Sequence, residues 1–274
     1  MKKLFLLVII ALFLQAAAFA QIDGTQIQGK EVAKNDDIVF HKIDAHTWVG
    51  TGKMMYNESV YLVEGNTKAL LIDAGTKIAD LDKIVASITD KPIMLVATHA
   101  HPDHTGSAIN YFSELYIAPG DAKSPFVKDY TGTIKELKDG ELIDLGGRTI
   151  EVVFTPGHTP GSTTFIDKNA GYGFSGDSFG SGNLLVFDTF TNLISTCKKT
   201  SAIMKKYNIK KLYPGHYYGV NAETKQRVDD LASMSKDVLA GKVKGEENPD
   251  GIGGLNKIYK AHGVNINYND ASMK

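Results

Sequence analysis

Three histidines and one aspartate lie within six residues of the chain, in the pattern HxHxDH: His99, His101, Asp103 and His104. Imidazole nitrogens and carboxylate oxygens are ligands that zinc prefers, and iron and manganese accept similar sets. A single ion cannot take all four side chains with acceptable geometry. The alternation of His99 and His101 with Asp103 and His104 therefore predicts two neighbouring metal ions.

Three further motifs each place one ligand-type residue in a short polar turn. His158 lies in TPGHTPGS, Asp177 in GDS and His216 in PGHY. Any one of these motifs alone would be a turn that happens to carry a histidine or an aspartate. Since all of them follow short apolar segments, as HxHxDH does, we expect their side chains to meet at one place.

The segments before the four motifs have the composition of short buried strands. They span Ile93–Thr98, Arg148–Thr155, Tyr172–Ser175 and Lys211–Tyr213. A loop at the end of a strand can direct several side chains at one point. Apolar residues at helical spacing predict a helix over Thr76 to Ile88 and two more near residues 190–204 and 228–238. Two packed sheets with helices on their outer faces accommodate this order of elements.

The motif order HxHxDH, GH, GD and GH, preceded by LIDAG at residues 71–75, resembles the metallo-β-lactamase superfamily. The resemblance covers the chain from about Val39 to Tyr217. It implies an α/β fold, specifically a four-layer αβ/βα sandwich with metals at one edge between the sheets. Residues 21–274 are then one domain, in which the polar stretch 21–37 is expected to be a loose arm and residues 241–274 an irregular C-terminal tail.

The resemblance also implies a role for each motif residue. The first metal would be bound by His99, His101 and His158, the second by Asp103, His104 and His216, and Asp177 would bridge the two. Asp73 would support the ligands without binding metal, although an Asp before Ala-Gly also commonly caps a turn. The expected cofactors are two zinc ions, with iron or manganese as alternatives.

Two divalent ions that share a water lower its pKa from about 16 towards 7, so that a bridging hydroxide can act as nucleophile. The expected reaction is hydrolysis of an activated acyl bond in a small molecule: a thioester, a lactone or an ester. Asp103 is the candidate catalytic residue beside that water. The alternative is a secreted metallo-β-lactamase that hydrolyses β-lactams. A flavodiiron-type oxidoreductase has a related fold, but it carries Glu at the position of His101 and an additional flavin domain.

Four residues outside the ligand set are candidate substrate contacts: Met55, Tyr56, Tyr217 and Tyr218. The first two lie in a glycine-flanked loop that could cover the site, and the two tyrosines adjoin His216. Side chains of these types pack in protein interiors as often as they bind ligands. The glycine-rich segment 178–183 is a further candidate for the mouth of the site.

The first twenty residues have the pattern of a cleavable signal peptide. Lys2 and Lys3 precede the apolar run Leu4–Leu14, and the small residues Ala18 and Ala20 frame a cleavage position before residue 21. The apolar run is too short to span a bilayer comfortably, which argues against a retained membrane anchor. We therefore expect a periplasmic or secreted protein without stable membrane insertion.

Net charge and cysteine content bear on the remaining classes of protein that the sequence could belong to. The formal net charge of −1 supplies no basic surface for nucleic acid, and a nuclease of this superfamily would need one. A metal-free binding module would have lost ligands, and none is missing. The single cysteine, Cys197, lies on the apolar face of a predicted helix and is expected to be a core residue.

Overall fold

The computed structural model describes residues 26–274, in three β-sheets and three α-helices. The predicted leader and cleavage position lie outside these residues. Elements are labelled β1 to β17 and α1 to α3 in chain order within the described part.

The first sheet has eight strands in sequence order, β1 to β8. Their bounds are Glu31–Lys34, Ile38–Asp44, Thr47–Gly52, Ser59–Glu64, Ala69–Ile72, Ile93–Val96, Glu114–Ile117 and Thr133–Glu136. The first five strands pair antiparallel, whereas β5 to β8 pair parallel. The HxHxDH motif lies within the parallel half, in the connection between β6 and β7.

The second sheet has the order β14-β12-β11-β10-β9. In chain order its strands are Leu142–Asp144, Thr149–Phe154, Thr163–Asp167, Tyr172–Gly176 and Lys211–Pro214. Strands β12 and β14 pair parallel and the others antiparallel. A third, smaller sheet of order β13-β17-β16-β15 is formed by Asn183–Leu185, Val264–Tyr268, Lys257–Ala261 and Glu246–Glu247.

The three helices are α1 (Leu81–Ala86), α2 (Phe190–Lys206) and α3 (Lys225–Leu239). The Thr189 and Thr224 hydroxyls cap α2 and α3 by accepting backbone N–H groups of their first turns. Helix α1 is shorter than predicted because Asp80, just before it, has a left-handed backbone with φ of 52°. Within residues 26–274, no helix combines the length and apolar character needed to cross a bilayer.

Three apolar clusters fill the spaces between the layers. One lies between the first two sheets and includes Tyr61, Ile72, Val152, Phe165 and Phe174. A second packs α1 on the outer face of the first sheet, and a third packs α2, α3 and the small sheet on the outer face of the second. The layer order helix, sheet, sheet, helix confirms the expected αβ/βα sandwich.

Two segments that were expected to be irregular contain strands. Residues Glu31–Lys34 pair with β2, so part of the predicted loose arm is an edge strand. The predicted irregular tail instead forms the hairpin β16–β17, whose turn His262-Gly263 has positive φ at both residues. In β17, Val264, Ile266 and Tyr268 alternate with asparagines and are buried in the third cluster. The Gly, Asn and Lys content concealed this alternation.

Candidate metal centre

All four predicted motifs follow strands that end at the same edge of the sandwich. Asp73 follows β5 and the HxHxDH motif follows its parallel neighbour β6. In the second sheet, Asp177 follows β12, and His216 lies just after its parallel neighbour β14. Parallel neighbours end on the same side, so the topology brings these loops together.

The first ligand group consists of three histidines whose ring nitrogens almost touch. Nε2 of His99 lies 3.0 Å from Nδ1 of His101 and 3.2 Å from Nε2 of His158. Nδ1 of His101 and Nε2 of His158 are 2.9 Å apart. Zinc–nitrogen bonds of about 2.0–2.1 Å place tetrahedral ligands about 3.3 Å apart, so this triangle has the dimensions of three zinc ligands.

The outward-facing nitrogens of two of these rings are held by hydrogen bonds. Nδ1 of His158 donates to the carbonyl oxygen of Leu185 at 2.7 Å, and Nδ1 of His99 lies 3.1 Å from the hydroxyl of Thr98. When Nδ1 carries the proton, the Nε2 lone pair faces into the group. Two lone pairs so directed repel each other unless a proton or a cation lies between them, and a cation there would be within reach of all three rings.

The second ligand group contains two histidines and two carboxylates. Nε2 of His216 lies 3.3 Å from Oδ2 of Asp103 and 3.4 Å from Oδ2 of Asp177. Nε2 of His104 is 3.6 Å from an oxygen of each carboxylate. Oδ2 of Asp177 also lies 3.8 Å from Nε2 of His158 in the first group, so Asp177 stands between the two groups.

Asp73 supports one histidine of each group. Its Oδ2 accepts a hydrogen bond from Nδ1 of His104 at 2.8 Å and another from the Thr98 hydroxyl at 2.8 Å, and that hydroxyl contacts Nδ1 of His99. Its other oxygen accepts the backbone N–H of Thr98 at 2.7 Å. Asp73 is 1% exposed and lies behind the two groups, and its role in supporting metal ligands stays a prediction.

The buried Nε2 of His104 has no hydrogen-bond partner among residues 26–274. Such an atom costs free energy unless something satisfies it, and a divalent cation would do so here. Together with the triangle of nitrogens, this atom shows that the residues fit metal ions. The two groups are the clusters of the described chain in which at least three metal-ligating atoms converge.

The environment of the first group favours neutral imidazole rings. Burial, with smaller contributions from the neighbouring rings, lowers the pKa of His99 well below its usual range. Burial likewise lowers the pKa of His101, and it lowers the pKa of His158 to about 4. Neutral imidazoles bind metal without first losing a proton.

The second group is held together by opposite charges. Burial opposes charge on His216, but Asp177 and Asp103 outweigh it and raise the pKa of the ring to about 10. The pKa of the Asp103 carboxyl is lowered to about 2, because His104 and His216 outweigh the effect of burial. Two carboxylates beside a buried site favour a cation between them.

Glycine is required where the two loops of the second group meet. A Cβ atom on Gly215 would lie 2.3 Å from Oδ1 of Asp177 and 2.6 Å from Cε1 of His104. The carbonyl of Gly215 accepts the backbone N–H of Ser59 at 2.7 Å, and its N–H donates to the carbonyl of Gly176. The glycine of the PGH motif therefore lets the backbone next to His216 pack closely against Asp177 and His104.

The loop with two of the predicted substrate contacts reaches this centre. The Tyr56 carbonyl accepts a hydrogen bond of 3.2 Å from Nδ1 of His216, and the two rings meet edge-on at 6.3 Å. Glu58, which is buried, accepts the backbone N–H of Met55 and so closes the loop. The loop thus orients a candidate ligand, and Tyr56 is 43% exposed beside it.

The structure places the other predicted contacts less directly. The Tyr217 hydroxyl donates to the carbonyl of Gly219, and its ring packs on Tyr213. Tyr218 is half-buried, and its backbone N–H donates to the side chain of Asn221. Their contact with substrate stays a prediction. In segment 178–183, Ser178 is buried and bonds to the hydroxyl of Thr155, so it does not line the mouth.

Two phenylalanines that the sequence motifs did not indicate flank the first ligand group. The rings of Phe126 and Phe187 lie 5.8 and 5.3 Å from the ring of His101, both edge-on. Phe126 is 50% exposed, and Phe187 also contacts the ring of His158 at 5.7 Å. Neither phenylalanine belongs to one of the four ligand motifs, so no spacing rule could have found them.

Residues 56–216 match the metallo-beta-lactamase superfamily. The human acyl-coenzyme A thioesterase MBLAC2 is 27% identical over 231 residues, which cover 68% of this chain and 81% of that protein. The atrochrysone carboxyl ACP thioesterase nsrC of Aspergillus novofumigatus is 28% identical over 193 residues, covering 69% of this chain and 55% of that protein.

Solved structures share the fold at lower sequence identity. A metallo-beta-lactamase from Pontibacter korlensis has a TM-score of 0.59 and 16% identity, covering 73% of this chain and 99% of that one. One from Erythrobacter litoralis has a TM-score of 0.58 and 14% identity, with 74% and 98% covered. The motif order, the converging ligand groups and the sequence match lead to one conclusion: the chain belongs to the metallo-beta-lactamase superfamily and is a metal-dependent hydrolase.

Proposed function

We propose that the protein is a dinuclear zinc hydrolase of acyl thioesters with an apolar acyl group. The observation that carries the proposal is the pair of ligand groups joined by Asp177, with the exposed ring of Phe126 against His101. Relatives named as acyl-coenzyme A and acyl-carrier-protein thioesterases support the choice of thioester over lactone or β-lactam.

Zinc fits both groups by ligand type, with three imidazoles in the first group and two imidazoles and two carboxylates in the second. Two ions so placed would supply an activated water and polarise the substrate carbonyl. The Asp103 carboxylate, whose Oδ2 lies 3.3 Å from Nε2 of His216, would stand beside that water and accept a proton from it. His99, His101 and His158 would fix the end of the site that faces the acyl carbonyl.

The apolar side chains around the site support recognition of the acyl group rather than of the thiol carrier. The ring of Phe126 contacts His101 and that of Tyr56 contacts His216, and the two side chains are 50 and 43% exposed. An alkyl or aryl acyl chain lying on these side chains would remove apolar surface from water, at about 25 cal/mol per Å². The half-buried Phe187 extends the same surface between His101 and His158.

A substrate screen tests this function. The zinc-reconstituted protein is assayed with decanoyl-coenzyme A, decanoyl-N-acetylcysteamine, S-lactoylglutathione, an acyl-homoserine lactone, an aryl ester and nitrocefin. We expect the two decanoyl thioesters to be the best substrates by kcat/KM, with Asp177→Ala inactive on all of them. A marked preference for nitrocefin or the lactone would overturn the thioester assignment. Released thiol can be followed directly, because Cys197 is fully buried.

Metal content tests the dinuclear site separately. Elemental analysis of the purified protein should give two ions per chain, and chelation should abolish activity until zinc is restored. One tightly bound ion, or none after reconstitution, would contradict the two-metal site whatever the substrate.

We also propose export, on the strength of the leader alone. The basic start, the apolar run Leu4–Leu14 and the small residues before Gln21 support cleavage and release outside the cytoplasm. Expression with the intact leader should yield a protein that begins at Gln21. Mass spectrometry that finds residue 1 retained in a cytoplasmic protein would refute it.

A further inference from the structure

Asp121 is a buried carboxylate outside both ligand groups, and it contacts loops from both large sheets. It is 5% exposed and lies in the turn that follows β7. Its Oδ2 accepts the backbone N–H of Ala100 at 2.9 Å and the hydroxyl of Thr159 at 2.8 Å. Its Oδ1 accepts the backbone N–H of Gly161 at 2.9 Å.

These three donors belong to the two loops that supply the whole first ligand group. Ala100 lies between His99 and His101, in the loop after β6 of the first sheet. Thr159 directly follows His158, in the loop after β10 of the second sheet. One carboxylate therefore joins the two sheets at the point where three ring nitrogens must lie about 3 Å apart.

The turn that carries Asp121 also meets the loop after β10 at backbone distance. A Cβ atom on Gly161 would lie 2.5 Å from both the backbone nitrogen and Cγ of Asp121, and one on Gly120 would lie 2.6 Å from the carbonyl of Pro160. The backbone N–H of Asp121 itself donates to the carbonyl of Ala118 at 3.0 Å. The backbone of Asp121 is thus held in its turn and packed directly against the loop that carries His158.

The second ligand group is supported by different contacts. Asp73 holds His104, and the Tyr56 carbonyl holds His216. The three donors to Asp121 are all neutral and leave neither carboxylate oxygen without a partner. The acceptor-only character of a carboxylate is essential here, since an amide in its place would turn an NH2 group towards a backbone N–H.

We propose that Asp121 is a positioning residue that sets the spacing of His99, His101 and His158, and thereby the affinity of the first metal position. The inference rests on the proposed two-metal function. It assigns Asp121 to the first metal position alone. The Tyr56 carbonyl contacts only the second group, whereas Asp73 reaches both, His104 directly and His99 through the Thr98 hydroxyl.

The test measures zinc binding to metal-free wild type and Asp121→Asn by competition with a chromophoric chelator, together with the visible spectrum of the cobalt-loaded protein. We expect one of the two affinities to fall by about 10- to 100-fold, the usual range for a residue hydrogen-bonded behind metal ligands, and the other to change little. The cobalt bands of the weakened position should shift. Thr159→Val removes one of the three bonds and should give a smaller loss of the same affinity.

The matched control is Asp167→Asn. Asp167 is also a buried carboxylate that accepts a backbone N–H, but it lies at the far end of β11 and pairs with Arg148. This variant should lose thermal stability while keeping both zinc affinities. If Asp121→Asn fails to fold, Thr159→Val alone decides the outcome.

Three results have different meanings. Wild type that binds no metal would refute the proposed function itself. Wild type with two ions and variants at Asp121 and Thr159 with unchanged affinities would refute only the positioning role. Equal weakening of both positions, or a loss of affinity that Asp167→Asn matches, would also refute it, since a general structural defect would explain either.

Discussion

Nδ1 of His104 lies 2.8 Å from Oδ2 of Asp73, and both side chains are at most 1% exposed. The hydrogen bond fixes the ring so that Nε2 faces Asp103 and Asp177. The resemblance to the superfamily implied a supporting role for Asp73. The structure adds a second contact: the Thr98 hydroxyl donates to Asp73 and also touches Nδ1 of His99.

Replacing the Asp73 carboxylate should weaken metal binding, although Asp73 is not itself expected to bind an ion. We expect Asp73→Asn to lower the zinc affinity of the second position by about 10- to 100-fold, because the amide can present NH2 to a donor in place of an acceptor oxygen. Calorimetric zinc titration of the metal-free protein measures the change. Asp188→Asn, a carboxyl that bonds to Asn192 at the start of α2, serves as control. Normal binding of two ions by Asp73→Asn would contradict the supporting role.

Asp103 and Cys197 should behave in opposite ways. Asp103→Asn should lower kcat by at least about two orders of magnitude, since a neutral amide is a poor ligand and accepts no proton. Cys197→Ala should leave kcat nearly unchanged and cost some stability through a small void, because burial raises the pKa of the thiol far above its usual range. Near-normal turnover of Asp103→Asn at full metal content, or a trapped acyl group on the protein, would refute the mechanism.

Phe126 should determine the preference for acyl chain length. Truncation to alanine removes the exposed ring beside His101, a loss of about 1–2 kcal/mol for an alkyl chain that lies on it. We therefore expect Phe126→Ala to raise KM about tenfold for a decanoyl thioester and little for an acetyl thioester. Leu142→Ala, an exposed apolar residue on β9, is the control. An equal effect on both chain lengths would show that Phe126 supports the ligands instead of the acyl group.

Glu223 should make stability depend on pH. It is fully buried, and burial outweighs Arg227 and the N–H of Ser181 to raise its pKa from 4.5 to about 8. Because the folded pKa is the higher one, its contribution to stability is complete below about pH 4.5 and is lost as the pH rises through about 8. Glu223→Gln mimics the protonated form, so the fall in melting temperature between about pH 6 and about pH 9 should be smaller than in wild type.

The control for this measurement is Asp230→Asn, a change at a half-buried carboxyl on helix α3 that accepts a hydrogen bond from Gln226. Its melting temperature should follow the wild-type pH dependence. An unchanged slope for Glu223→Gln would show that Arg227 keeps the carboxylate charged at neutral pH.

The layers, and the convergence of the seven candidate ligands at one place, could be predicted from the sequence because both depend on local pattern. Each of the four motifs is short, and each follows a short strand. The αβ/βα arrangement follows from the order of these elements. The prediction of an irregular tail was wrong because β17 pairs with β13, which lies about eighty residues earlier in the chain. Its asparagines resemble a loop until a partner strand is known.

The residues that hold the ligands were harder to predict than the ligands themselves. Asp121 lies in an ordinary turn of sequence, and its function comes from donors on loops that meet it only in the folded chain. Phe126 and Phe187 likewise become candidates for the site only because their rings contact the ring of His101 in the folded chain. Contacts of this kind join segments with no fixed spacing, so a motif search has nothing to detect.

The small sheet sets an order of events during biosynthesis. All seven candidate ligands have been synthesised once His216 has been added, but the strand that carries Leu185, the partner of His158, pairs with β17, which ends at Tyr268. A nascent chain emerges from its N terminus. It can therefore gather the ligands while the ring of His158 is still free to turn. A product terminated before β17 would therefore carry every candidate ligand and lack the strand that pairs beside Leu185.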